Sequence, residues 1–190
     1  NEFMFQMMAE MNVDNMNSLG TLKVITACPH CFHTLGKEYP DYGADKLEVL
    51  HHSQILAKLQ DEGRLPRITD HEDSVTFHDP CYLGRIGGEV EAPRAVIGGV
   101  DVEVERHGTD SFCCGAGGGN MWYEIKTGDR INQSRIHQAV ETNAETVAAA
   151  CNFCNIMLED GVKTTGNEKT LKVLDIAEMV SQGLRGKDYI

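Results

Sequence analysis

Seven cysteines carry the chemistry that this sequence can do. Thiolates are soft ligands that select zinc, Cu(I) or iron–sulfur clusters. Two pairs have the Cys-x-x-Cys spacing, Cys28 with Cys31 and Cys151 with Cys154, while Cys113 and Cys114 are adjacent and Cys81 stands alone. An odd count with no secretory leader argues against a disulfide framework and for reduced thiols facing a cytoplasm. Tetrahedral zinc takes four ligands and is usually built from two Cys-x-x-Cys knuckles. Cys81, Cys113, Cys114, Cys151 and Cys154 make five, and neighbouring side chains reach different irons of a cluster more comfortably than they chelate one small ion. The multi-iron reading is therefore preferred, with a zinc site as the alternative.

A repeat organises the chain. Thr26-Ala27-Cys28-Pro29-His30-Cys31-Phe32 recurs as Ala149-Ala150-Cys151-Asn152-Phe153-Cys154-Asn155, and Lys46-Leu47-Glu48-Val49-Leu50 recurs as Thr170-Leu171-Lys172-Val173-Leu174. Each copy reads as strand, Cys-x-x-Cys, helix, linker, strand, helix. The second copy has three cysteines upstream and the first has none, so seven divides into five plus two, as expected if the first copy lacks its upstream part. The predicted organisation is residues 1–70 as the C-terminal part of a first repeat and residues 71–190 as a complete second one.

The elements that must position the thiols are short. Val75–His78, Val100–Val104 and Thr146–Ala150 are expected strands, although the Ala-rich last run could equally end a helix, and Glu91–Ile97 and Arg130–Val140 have helical spacing. Alternating strands and helices imply an α/β fold with parallel strands, whose ligands collect beyond the carboxyl ends of the strands. Cys81, the Cys113-Cys114 pair and Cys151 each follow a candidate strand by a few residues, so the thiols should converge there. The Met-rich opening stretch, with Phe3, Phe5, Met7, Met8 and Met11, is expected to be a core-facing helix.

After the pair comes Gly115-Ala116-Gly117-Gly118-Gly119-Asn120. It lacks the last glycine of a dinucleotide fingerprint and follows no strand directly. Gly115, Gly117 and Gly118 are expected instead to let backbone N–H groups approach cluster sulfurs. Trp122 should shield the site from water. His78 and Asp79 either hydrogen-bond the site or serve as a strand end and turn. His51 and His52 are expected at the surface or as a cap, and Arg85, Arg130 and Arg135 on solvated faces. No Ser-His-Asp order or paired-carboxylate spacing supports hydrolysis, so no residue is assigned a catalytic role. Of 190 residues, 17 are Lys or Arg and 29 are Asp or Glu, a net charge of −12, and 41% are hydrophobic. That balance suits a globular chain and opposes a nucleic-acid partner, which needs a basic face.

The five-cysteine pattern, 31 residues between Cys81 and Cys113 and 36 between Cys114 and Cys151, resembles the CCG domain of the heterodisulfide reductase family of iron–sulfur oxidoreductases. His78-Asp79-Pro80-Cys81-Tyr82-Leu83-Gly84-Arg85, Phe112-Cys113-Cys114-Gly115-Ala116-Gly117-Gly118 and Cys28-Pro29-His30-Cys31-Phe32 are most similar to the branch passing electrons from electron-transfer flavoprotein to menaquinone. The resemblance implies two pseudo-symmetric repeats, the first incomplete here. It implies a 4Fe-4S cluster, noncubane in the family's best-understood member, on Cys81, Cys113, Cys114, Cys151 and Cys154, with Cys28 and Cys31 as part of a second site. The implied function is electron transfer between a flavoprotein and a quinone, with disulfide reduction and a zinc-stabilised interaction module as alternatives. Implied partners are flavoprotein and iron–sulfur subunits. A cytoplasmic protein, or one at the membrane's cytoplasmic face through parts beyond these residues, is expected.

Overall fold

A computed structural model describes residues 1–21, 23–69, 71–123 and 128–184. The chain opens on helix α1 (Glu2–Ser18). A first unit follows: β1 (Lys23–Thr26), α2 (Pro29–His33), β2 (Glu48–His51) and α3 (His52–Asp61). A second contains β3 (Val75–His78), α4 (Glu91–Val96), α5 (Ile131–Val140), β4 (Thr146–Ala149), α6 (Asn152–Thr164), β5 (Lys172–Asp175) and α7 (Ile176–Leu184). The two copies therefore fold alike, as β1-α2-β2-α3 and β4-α6-β5-α7.

All strand pairings among the described residues are parallel. β1 pairs with β2, and the second sheet has the order β3-β4-β5. The Ala-rich run is thus a strand, buried at every position. Period-two alternation divides its side chains. Val147 and Ala149 enter a core with Ile136, Ala139, Met157, Leu158 and Val162 of α5 and α6. Ala148 and Ala150 enter another with Phe77, Val96, Ile97, Ile176 and Val180, against which Phe32, Leu56 and Ala57 of the first unit also pack. Small side chains in the central strand let the helices on both faces approach closely.

Three expectations from the sequence fail here, wholly or in part. Val100–Val104 forms no strand. The Asp101 carboxylate accepts the Val75 N–H at 2.7 Å, and the Asp101 and Val102 N–H groups both turn onto the Val75 carbonyl. A side chain has taken a bond that a strand ladder would need. The opening stretch is a helix that faces a core along one side only, where Phe5 and Met16 also pack. Ala9 and Val13 are buried, packed with Tyr39 and Ala44, whereas Phe3, Met4, Met7, Met8 and Met11 lie on its exposed side. Arg135 is not solvated: it is 1% exposed. Among the described residues, no helix is long and apolar enough to cross a membrane.

Candidate metal centre

Each Cys-x-x-Cys motif starts a helix at the end of a strand. Cys28 and Cys151 are the N-cap residues of α2 and α6, both in extended conformation. A spacing of three then brings the second cysteine back over the first helical turn. β3 ends in His78, and Asp79-Pro80 turns the chain so that Cys81 precedes a short π-helix, Tyr82–Ile86.

Cys113 and Cys114 lie in a loop tied to that turn. The Asp79 carboxylate accepts the Gly108 N–H at 2.7 Å, and the Ser111 hydroxyl donates to the Asp79 carbonyl at 2.9 Å. Arg85 donates to the carbonyl of Ser111. Behind the turn, Arg94 grips Asp79 through two N–H donors at 2.6 and 2.9 Å, and Glu103 through two more at 2.8 and 3.1 Å. A fork-to-carboxylate pair of this kind fixes direction as well as distance. Gly115 continues the loop with φ +93°, where any Cβ would fall 3.0 Å from that of Ile131. Glycine alone meets both demands.

The result is an unbroken run of thiol contacts, Cys81 to Cys113 to Cys114 to Cys154 to Cys151. All seven cysteines are free, with Cys114, Cys151 and Cys154 buried and Cys81 and Cys113 half-buried. The thiols of Cys114 and Cys81, with the Gly115 N–H at 3.2 Å, hold Cys113 down to about 2. Bonding to Cys113 pushes Cys114 up to about 12 and Cys81 well above the ordinary thiol range. Contacts with Cys114 and Cys151 raise Cys154 likewise, and the Cys154 thiol lowers Cys151 to about 7. Thiolates this close together repel one another, and a bound cation offsets that repulsion.

His78 closes the inner side. One of its ring nitrogens and the Sγ atoms of Cys114 and Cys154 lie within 4.8 Å of one another. Burial and the neighbouring Arg135 charge push its pKa down to about 3. On the outer side, the His30 ring lies 4.1 Å from that of Tyr82 and 6.2 Å from that of Phe153, and its Nδ1 is 4.0 Å from the Cys28 sulfur. Cys28 is buried and Cys31 exposed. The Cys28-x-x-Cys31 turn thus faces the five thiols across His30.

Gly117 and Gly118 are exposed, with nothing within 4 Å of where a Cβ would stand. Trp122 is 79% exposed and is not a core residue. His51 and His52 are buried rather than superficial. His51 does cap α3, its ring accepting the Ser53 N–H, while His52 reaches Asp175 at 3.3 Å and ties α3 to β5. Arg85 is exposed and Arg130 pairs with Asp160 at 3.2 Å. The clamp residues Arg94 and Glu103, and the stacking of His30, had no signal in the sequence, because contacts between residues far apart in the chain leave no local spacing.

Residues 1–36 and 75–159 match the family described as Cysteine-rich domain, CCG. The chain belongs to the CCG family. It is 40% identical over 193 residues to "Probable iron-sulfur-binding oxidoreductase FadF" of Bacillus subtilis, covering 99% of this chain and 27% of that protein. Similarity to EtfAB:quinone oxidoreductase of Syntrophomonas wolfei is 40% over 190 residues, 95% of this chain and 26% of the relative. The dihydromethanophenazine:CoB–CoM heterodisulfide reductase of Methanosarcina barkeri has a polypeptide that is 34% identical over 189 residues, 93% of this chain and 44% of that polypeptide. This CCG chain therefore spans about a quarter of the length of the first two relatives.

Proposed function

We propose that this chain is the cysteine-rich electron-transfer part of an iron–sulfur oxidoreductase, with one 4Fe-4S cluster on Cys81, Cys113, Cys114, Cys151 and Cys154. The observation that carries the reading is the continuous run of five free thiols at the carboxyl ends of β3 and β4. The donor set fits the group: it is all sulfur, and it has one member too many for tetrahedral zinc. When bound, such a cluster supplies one-electron chemistry. The chain's own groups do the rest. Burial of Cys114, Cys151 and Cys154 excludes water, the Gly115 N–H offsets charge on Cys113, and half-buried Cys81 and Cys113 leave one edge open to a redox partner.

The full protein is read as taking electrons from a flavoprotein of the electron-transfer type and delivering them to a quinone or another iron–sulfur subunit. Names of the relatives support this. Cys28 and Cys31 are read as half of a second cluster site, residues 1–70 as the end of one repeat and 71–190 as a whole one. A second reading, reduction of a disulfide, is favoured by one feature: Cys28-x-x-Cys31 faces the five thiols across His30.

Anaerobic purification of the full-length protein followed by iron, sulfide and zinc analysis tests the cluster. About four irons and four sulfides for the five-thiol site are expected, with visible absorption, and stoichiometric zinc alone sinks the reading. Turnover with reduced flavoprotein and a quinone analogue supports the first activity. Turnover only with a disulfide substrate reverses the order.

A further inference from the structure

His78 lies at the inner wall of the thiol cluster, 1% exposed, and its geometry invites a role as a metal ligand beside Cys114 and Cys154. The proton bookkeeping of its ring argues otherwise. Nδ1 receives a hydrogen bond from the Nε–H of Arg135 at 2.9 Å. A guanidinium donates and never accepts. Burial lowers the pKa of Arg135 only to about 10, so it remains a donor at neutral pH. Its orientation is fixed independently, because another of its nitrogens donates to the Arg106 carbonyl at 3.0 Å and to the Gln138 side-chain oxygen at 2.9 Å. Nδ1 of His78 must therefore present its lone pair, and the neutral ring must carry its hydrogen on Nε2. Nε2 is buried and has no protein partner. An N–H in that position, shut off from water on a ring one of whose nitrogens lies within 4.8 Å of the Cys114 and Cys154 sulfurs, is a costly orphan unless something in the site accepts it.

We infer that His78 is a hydrogen-bond donor to the sulfur of the occupied site, held in its Nε2–H tautomer by Arg135, and so a positioning residue that sets the cluster's reduction potential and not one of its ligands. The inference rests on the iron–sulfur reading of the five thiols. A donor aimed at sulfur favours the more electron-rich, reduced state, because hydrogen bonds to a charged acceptor strengthen with its charge. Removing it should make reduction harder.

The test uses the full-length protein with its cluster loaded. His78→Phe should shift the oxidised-to-reduced equilibrium of this site about tenfold toward the oxidised form, about 59 mV for a one-electron couple, at unchanged iron content. His78→Gln, which keeps a terminal N–H donor, should recover at least half of that shift. Pulsed electron paramagnetic resonance of the reduced wild-type protein in deuterated buffer should show, besides the signals of backbone amides such as that of Gly115, an exchangeable deuteron and a weakly coupled nitrogen that are both lost in His78→Phe. A strongly coupled nitrogen of a bound imidazole, or an unchanged potential in a fully loaded His78→Phe, overturns the inference. Should His78→Phe fail to load, the wild-type spectrum and His78→Gln decide alone. Should the protein carry zinc, the cluster reading fails separately, and nitrogen NMR of the diamagnetic protein decides the tautomer: Nε2–H upholds the Arg135 argument and a metallated Nε2 overturns it.

Discussion

The two units share one plan and differ in how it is enclosed. In the second, β4 runs between β3 and β5 and is buried at every residue, and the Cys151 turn beyond it meets Cys114 across the buried thiol run. In the first, β1 has only β2 beside it among the described residues, and Ile25 on it is 52% exposed. The helix after each motif differs as well. α6 continues through Thr164, whereas α2 stops at His33 and passes into a π-turn, Thr34–Glu38, and a 3-10 turn, Tyr39–Tyr42, that contains Pro40. A proline lacks the N–H that a continued helix would need. The β3 strand that flanks β4 is also the one that delivers Cys81, so in this fold the third strand and the fuller set of cysteines arrive together.

That difference can be broken at the clamp of the second unit, which has no counterpart in the first among the described residues. Asp79→Ala removes the buried partner of the pair, leaves half-buried Arg94 with Glu103 alone and frees the Gly108 N–H, so urea unfolding should show a loss of about 3–5 kcal/mol. Lys23→Ala, which removes the exposed 2.9 Å pair with Glu48 between β1 and β2, should cost at most about 1 kcal/mol. Helix packing gives a smaller contrast. A Cβ at Gly161 would stand 2.8 Å from Ile136 and 3.0 Å from the Asn132 carbonyl, while one at Gly36 meets Val49 at an ordinary 3.6 Å. Thermal denaturation should therefore find Gly161→Ala destabilised by about 1–3 kcal/mol and Gly36→Ala within about 0.5 kcal/mol of the parent.

His51 sharpens the comparison from the other side, since it is buried against His52, which joins the two units through Asp175. Burial, with His52 adding to it, pushes its pKa from 6.5 down to about 3. The unfolded chain then binds a proton that the folded one refuses, so its contribution is complete above about pH 6.5 and declines as pH falls toward 3. The slope from this residue should be about 1.4 kcal/mol per pH unit, and His51→Asn should flatten the acid limb of an unfolding profile by that amount. The smallest effect is expected on α1: Met8→Gln, at an exposed position, should leave stability within about 0.5 kcal/mol.

Much of this was legible in the sequence because it was local or repeated. The Cys-x-x-Cys turns, the strand before each and the helix after each follow from spacing. The run Thr146–Ala149 was ambiguous since Ala favours helix, and only partners on both edges decide for strand. Val100–Val104 was misleading because the deciding event, the Asp101 carboxylate capturing the Val75 N–H, spans 26 positions. Arg135 shows the same limit. Nothing near it in sequence reports that its helix turns it onto His78, 57 residues earlier. Apolar composition misled in part in α1, where one stripe through Phe5, Ala9, Val13 and Met16 packs and Met4, Met7, Met8 and Met11 do not.

The central claim is that five cysteines of the second unit form one cluster site and the two of the first belong to another. Iron and sulfide measured per chain in Cys154→Ser and Cys31→Ser, each purified anaerobically as the full-length protein beside the parent, test it most directly. Cys154→Ser should lose about four irons with the matching sulfide and visible absorption, and Cys31→Ser should keep the iron of the five-thiol site. Full iron retention in Cys154→Ser, or loss of that site's iron in Cys31→Ser, contradicts the account.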